Sequence, residues 1–184
     1  MKNKIIFLLI SVFLVLTANN SFAARMKLKS NNFRYNSDIP EVHAFDGFGC
    51  TGKNQSPHLS IENVPSDAKS LAITMYDPDA TTGSGWWHWI VYDIEPNVTQ
   101  IKAGVDLISQ NARLGKNDYG NYAYGGPCPP VGSKHRYVFT VYALDVEKLE
   151  LPENPSAALI GFNINAHKIK EAQISAFYGR KKQK

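Results

Sequence analysis

Long hydrophobic runs are scarce in this chain of 184 residues. The one clear run, Ile5 to Leu16, is interrupted only by Ser11. It falls well short of the roughly 20 residues that a bilayer-spanning helix needs. Lys2 and Lys4 precede it, and Ser21-Phe22-Ala23 places small residues at the −3 and −1 positions of a cleavage site. That order is a secretory leader over residues 1–23, and a membrane anchor is the reading it displaces. No cysteine precedes Cys50, which excludes a lipid-modified N-terminal cysteine. No later stretch is apolar enough to insert stably in a membrane.

Charge of one sign is also missing. Two of the 20 Lys and Arg residues lie in the leader, so the remainder nearly balances the 16 Asp and Glu. The small basic excess is local, in Arg180, Lys181, Lys182 and Lys184. A nucleic-acid binder would present a basic face interleaved with aromatics, and none is visible; no nucleic-acid partner is expected. There is no G-x-S-x-G motif, and no serine stands in clear pairing with a base, which argues against nucleophilic catalysis. Histidines do not occur as H-x-H or H-x-x-x-H, which argues against a metal site. No cofactor is expected. Only two cysteines are present, Cys50 and Cys128. In the oxidising compartment that the leader implies, they are expected to form a disulfide, two buried free thiols being the alternative.

What remains is a single domain of residues 24–184, built mostly of strands. Leu71, Ile73 and Met75 alternate with Ala72, Thr74 and Tyr76. Trp89 to Tyr92 is short, aromatic and β-branched. Tyr137 to Leu144 is the strongest strand pattern in the chain. Between them lie Gly47-Phe48-Gly49, Thr82-Gly83-Ser84-Gly85 and Gly125-Gly126-Pro127. The pattern is that of a β-sandwich or barrel. One helix is predicted over 157–167, capped by Ser156, with Ala158, Leu159, Phe162 and Ala166 as its apolar stripe and Ile164 also fitting a buried one. A last short strand is predicted around Ile174 to Tyr178. The segments 31–49 and 101–121 read as loops.

Polar side chains cluster where strands end. Asp77 continues the face of Leu71, Ile73 and Met75, and Pro78 stops that strand. Alternation places His88 with Ile90 and Tyr92, opposite Trp87, Trp89 and Val91. His135 and Tyr137 stand at the mouth of a face continued by Phe139, Val141 and Ala143. His43, His58 and His167 read as ordinary exposed or partly buried histidines. A carboxylate, two imidazoles and a phenol suit a small-anion site; a metal site or an acid–base pair remains open on residue types alone.

Four segments in this order, Ser56-Pro57-His58-Leu59, Asp77-Pro78-Asp79-Ala80, Trp86 to Trp89, and Gly126-Pro127-Cys128-Pro129-Pro130 leading into His135-Arg136-Tyr137, resemble the phosphatidylethanolamine-binding protein family, also called Raf kinase inhibitor-like proteins. The leader, Gly49-Cys50 and the Cys-Pro-Pro segment look most like its bacterial YbhB/YbcL branch. The resemblance covers roughly Lys27 to Tyr178. It implies a mainly β fold, an antiparallel β-sandwich with Greek-key connections and a C-terminal helix. It implies an anion cavity lined by Asp77, His88, Gly126, Pro127, His135 and Tyr137, supported by Asp79 and Trp86. A non-enzymatic periplasmic or secreted protein is expected, with no catalytic residue, binding a small anion or phospholipid headgroup. Its action on a protein partner, with the pocket purely structural, is the alternative; a small hydrolase using Asp77 and the two histidines ranks below both. The kinase and protease partners of eukaryotic relatives do not transfer. Two positions depart from the family pattern. Thr81 stands where a proline is usual, and Ser60-Ile61 where the family has a tryptophan.

Overall fold

In the computed structural model, which describes residues 24–105 and 111–182, two antiparallel sheets pack face to face. The expected leader, 1–23, lies outside the described residues. The small sheet orders β1 (Lys27–Lys29), β2 (Leu59–Glu62) and β5 (Gln100–Ile101) side by side. The large sheet runs β6 (Arg113–Leu114), β4 (Trp86–Ile94), β3 (Ser70–Asp77), β7 (Lys134–Leu144) and β8 (Lys168–Gly179). β3, β4 and β6 lie in sequence, and β7 returns by a long connection to pair with the free side of β3. That is Greek-key order, as the family resemblance implies.

The large sheet is buried on both faces. One face meets the small sheet around Leu59, Ile61, Ile73, Met75, Trp89, Phe139 and Val141. The other is covered by α1 (Ala157–His167), where Ala72, Ile90, Tyr92 and Leu144 meet Ile160 and Ile164. Each such side chain removed from water contributes about 1.5–3 kcal/mol. Double burial explains why β3 and the second half of β7 read as nearly continuous apolar runs.

Ser156 caps α1 by accepting the Leu159 N–H (3.2 Å). The helix buries Ala157, Ile160, Gly161 and Ile164. The predicted stripe through Ala158, Leu159, Phe162 and Ala166 faces outward instead, and Phe162 is 71% exposed. The helix is apolar almost all round, so periodicity alone did not choose a face. Gly161 decides it, because a Cβ there would already stand 3.2 Å from the Trp87 ring; the backbone rides directly on that indole.

The last strand is longer than predicted, twelve residues rather than the five of 174–178. Its first residues, Lys168 to Glu171, carry no buried side chain and therefore no hydrophobic alternation. Pairing to β7 sets them in place, from Leu144↔Lys168 to Lys134↔Gly179. His43 also differs from the expectation. A single 3-10 turn, Glu41–His43, carries it inside, where it is 1% exposed and its Nδ1 donates to the Gln55 carbonyl (2.7 Å). Burial holds this imidazole below its ordinary pKa. His58 is partly buried against Gln100, and His167 pairs with Asp145. Cys50 and Cys128 are joined by a disulfide with their Cα atoms 6.0 Å apart.

Candidate functional site

Register in the β3–β4 pair builds the site. Met75 opposes Trp89, yet Tyr76 opposes Trp87, so His88 is an extra residue in β4. Such a bulge turns the strand's facing by one residue. Trp87 then joins Ile90 and Tyr92 under the helix. Trp89 and Val91 face the inter-sheet core. His88 stands on that core side and contacts Tyr137 ring-edge to ring-face at 5.1 Å. Strict alternation had set His88 with Ile90 and Tyr92; the bulge is the physical reason it does not hold.

Asp77 ends β3 buried, 3% exposed. Its Oδ2 accepts from His135 Nδ1 at 2.8 Å, and its Oδ1 accepts the Asp79 N–H at 2.8 Å. Asp79 in turn accepts the Arg136 N–H through Oδ2 (2.8 Å). The Asp-Pro-Asp turn is thus stitched to the start of β7, and a buried carboxylate obtains the donors it requires. His88 Nδ1 donates to the Gly125 carbonyl (2.7 Å), and Gly125 N–H returns a bond to the His88 carbonyl (2.9 Å). Burial pushes the His88 pKa down to about 4, against smaller upward pulls from the Gly125 and Gly126 carbonyls and Asp77. His88 is therefore neutral near pH 7. With its proton on Nδ1, Nε2 carries a lone pair.

Asp77, His88 and His135 line a cavity of about 290 Å³ together with Trp86, Tyr119, Tyr137, Thr81, Thr82, Pro129 and Phe48. Four buried side-chain polar atoms among the described residues have no hydrogen-bond partner, and two of them, Trp86 Nε1 and Tyr137 Oη, belong to cavity residues. Burial holds the Tyr137 and Tyr119 phenols well above their ordinary pKa. Both remain O–H donors. Tyr119 spends its proton on the Gly126 carbonyl (3.0 Å); Tyr137 does not spend its own.

The structure brings Asp77, His88, His135, Tyr137 and Trp86 together and sets Asp79 behind them. Gly126 and Pro127 stand behind the wall. Gly126 N–H donates to Asn54 Oδ1 (2.7 Å), and the Pro127 carbonyl accepts from Phe45 N–H (3.2 Å). A Cβ on Gly126 would lie 2.2 Å from the His43 carbonyl oxygen, so glycine there serves a close approach of two backbones. Thr81 lines the cavity. Ile61 is core, opposite Leu28 on β1, so the lost family tryptophan lies away from the site. Tyr119 was missed. It stacks on Phe45 at 4.0 Å and meets His88 edge-on at 5.5 Å, but it sits in a segment without periodicity.

The family profile described as phosphatidylethanolamine-binding protein matches residues 29–179. The UPF0098 protein YbhB of Escherichia coli is 41% identical over 157 residues, 83% of this chain and 99% of YbhB. The UPF0098 protein YbcL of the same organism is 41% identical over 177 residues, 93% of this chain and 97% of YbcL. The crystal structure of E. coli YbcL, described as a new member of the mammalian PEBP family, superposes with a TM-score of 0.81 and covers 85% of this chain and 99% of its own. A homologue from Chlamydia trachomatis, 35% identical, superposes at 0.73 over 85% of this chain and 98% of its own.

Proposed function

We propose, from the premise that the chain belongs to the phosphatidylethanolamine-binding protein family, that it is an exported binding protein whose cavity receives a small anionic group, phosphate or carboxylate. One observation carries this reading. Trp86 Nε1–H and Tyr137 O–H are buried donors with no acceptor, in the walls of the same cavity. A buried donor without a partner costs about 1–3 kcal/mol. An anion supplies acceptors to both and recovers that cost. The ring nitrogens of His88 and His135 left over from their bonds to Gly125 and Asp77 complete the contact set. Neutral His88 accepts through Nε2, so a protonated phosphate fits best: its P–OH donates to Nε2 while its other oxygens accept.

Binding rather than reaction is favoured by the groups present. Cys128 is committed to the disulfide, and Thr82 Oγ1 donates to the Gly85 carbonyl. No histidine bond to a hydroxyl nucleophile occurs among the described residues. Export is supported by the leader and by the disulfide, which suits an oxidising compartment. Calorimetric titration of the mature protein with inorganic phosphate tests the reading. Tyr137→Phe is expected to weaken binding about tenfold or more, the worth of a hydrogen bond to a charged group. Equal affinity in Tyr137→Phe and Trp86→Phe would place the anion elsewhere.

A further inference from the structure

Phe48 is placed where nothing in the fold requires it. It is 72% exposed, yet its backbone holds the left-handed conformation, φ 53°. A bulky residue pays for that conformation, and such strain persists only where surrounding structure imposes it. Here the imposing structure is explicit. Gly49 follows at φ 74°, and Cys50 N–H donates back to the Gly47 carbonyl (2.9 Å). The disulfide ties Cys50 to Cys128, which itself lines the cavity. Arg180 donates through Nη2 to the Gly49 carbonyl and through Nη1 to the Pro129 carbonyl, bracing both loops at once.

What the brace presents is an aromatic wall. The Phe48 ring lies 5.8 Å from Phe45 and 5.5 Å from Tyr119, and Tyr119 reaches His88 at 5.5 Å. Phe48 lines the cavity with Pro129 and Pro130. The cavity therefore has its unpartnered donors at Trp86 and Tyr137 and a rigid apolar wall at Phe48. Inorganic phosphate would use only the donors.

We propose that Phe48 is a specificity-determining residue, and that the occupant is a phosphate monoester whose esterified body is apolar rather than a free ion or a polar polyol ester. The proposal rests on the anion reading above and names its ligand class. The phosphate sits among Trp86, Tyr137, His88 and His135. The apolar body lies against Phe48, whose backbone is already fixed by the disulfide and the Arg180 bonds, which leaves less to order on binding.

Phenyl phosphate and glycerol 3-phosphate carry the same ester charge on an apolar and a polar body. Titrating both into the mature, disulfide-intact protein separates the possibilities. Phenyl phosphate is expected to bind about tenfold tighter, the scale of one aromatic contact with its burial. Phe48→Asn keeps a residue that tolerates the left-handed conformation. It is expected to bring the ratio close to one by weakening phenyl phosphate several times more than glycerol 3-phosphate. Equal affinities in the wild type, tighter glycerol 3-phosphate, or an undiminished ratio in Phe48→Asn would overturn the proposal while leaving the anion site standing. If neither ester nor inorganic phosphate binds, the anion reading fails and this proposal with it.

Discussion

Acidification is expected to weaken the fold through His88. The folded imidazole has its pKa pushed down to about 4 by burial, from an ordinary value of 6.5. Above pH 6.5 both folded and unfolded chains carry it neutral, and it exacts nothing. Below 6.5 the unfolded chain takes up a proton that the folded chain refuses, so stability falls with pH until the folded site also protonates near 4. At about 1.4 kcal/mol per pH unit for one proton, the full interval is worth about 3 kcal/mol. Most of it, roughly 2–3 kcal/mol, is gone by pH 4.5. The assay is urea unfolding at about pH 7.5 and 4.5 on wild type and on His88→Asn, which does not titrate. Other carboxylates and histidines titrate in both proteins, so the informative quantity is the difference between the two pH-induced losses. His88→Asn is expected to start less stable, having lost the imidazole's packing, but to lose roughly 2–3 kcal/mol less on acidification. Parallel losses in the two proteins would refute the assignment of a buried, neutral imidazole at this bulge.

Removing the disulfide with Cys50→Ala and Cys128→Ala frees a loop closed over a sequence separation of 78 residues. The expected cost is about 4.5 kcal/mol in the chain-entropy account, read as a drop in the urea midpoint; a change below about 1 kcal/mol would mean that the unfolded chain is already constrained. Gly126→Ala forces a Cβ to 2.2 Å from the His43 carbonyl oxygen. It is expected to cost roughly 2–3 kcal/mol in thermal unfolding, and a neutral outcome would show that the 43–45 segment yields freely. A phosphate monoester, whose second proton titrates near pH 6, is expected to bind severalfold tighter as pH falls from about 7.5 to about 5.5. A flat calorimetric profile would contradict the role of His88 Nε2 as acceptor.

Much of the site was legible because β7 obeys alternation. His135, Tyr137, Phe139, Val141 and Ala143 share one face in the sequence and in the structure. Asp77 was legible as the last residue of an alternating strand. His88 was legible as chemistry but not as geometry, since a bulge is a property of the pairing and not of either strand. The burying face of α1 was hidden by an apolar residue at almost every turn. The first half of β8 was hidden by its polarity. Tyr119 and Phe48 could not be read at all, because stacking between loops leaves no periodic trace. Gly126 was legible only through the resemblance, as a cavity residue; what the fold sets against it is the His43–Phe45 backbone.

An anion held among Trp86, His88, His135 and Tyr137 would touch three groups whose protons can be followed directly. The most direct measurement is an NMR titration of the mature protein with inorganic phosphate, following the imidazole resonances of His88 and His135 and the indole N–H of Trp86. All three are expected to shift together along one saturable curve, with the Trp86 proton moving as an N–H that gains an acceptor. Shifts confined to surface residues, with His88, His135 and Trp86 unmoved at saturating phosphate, would contradict it.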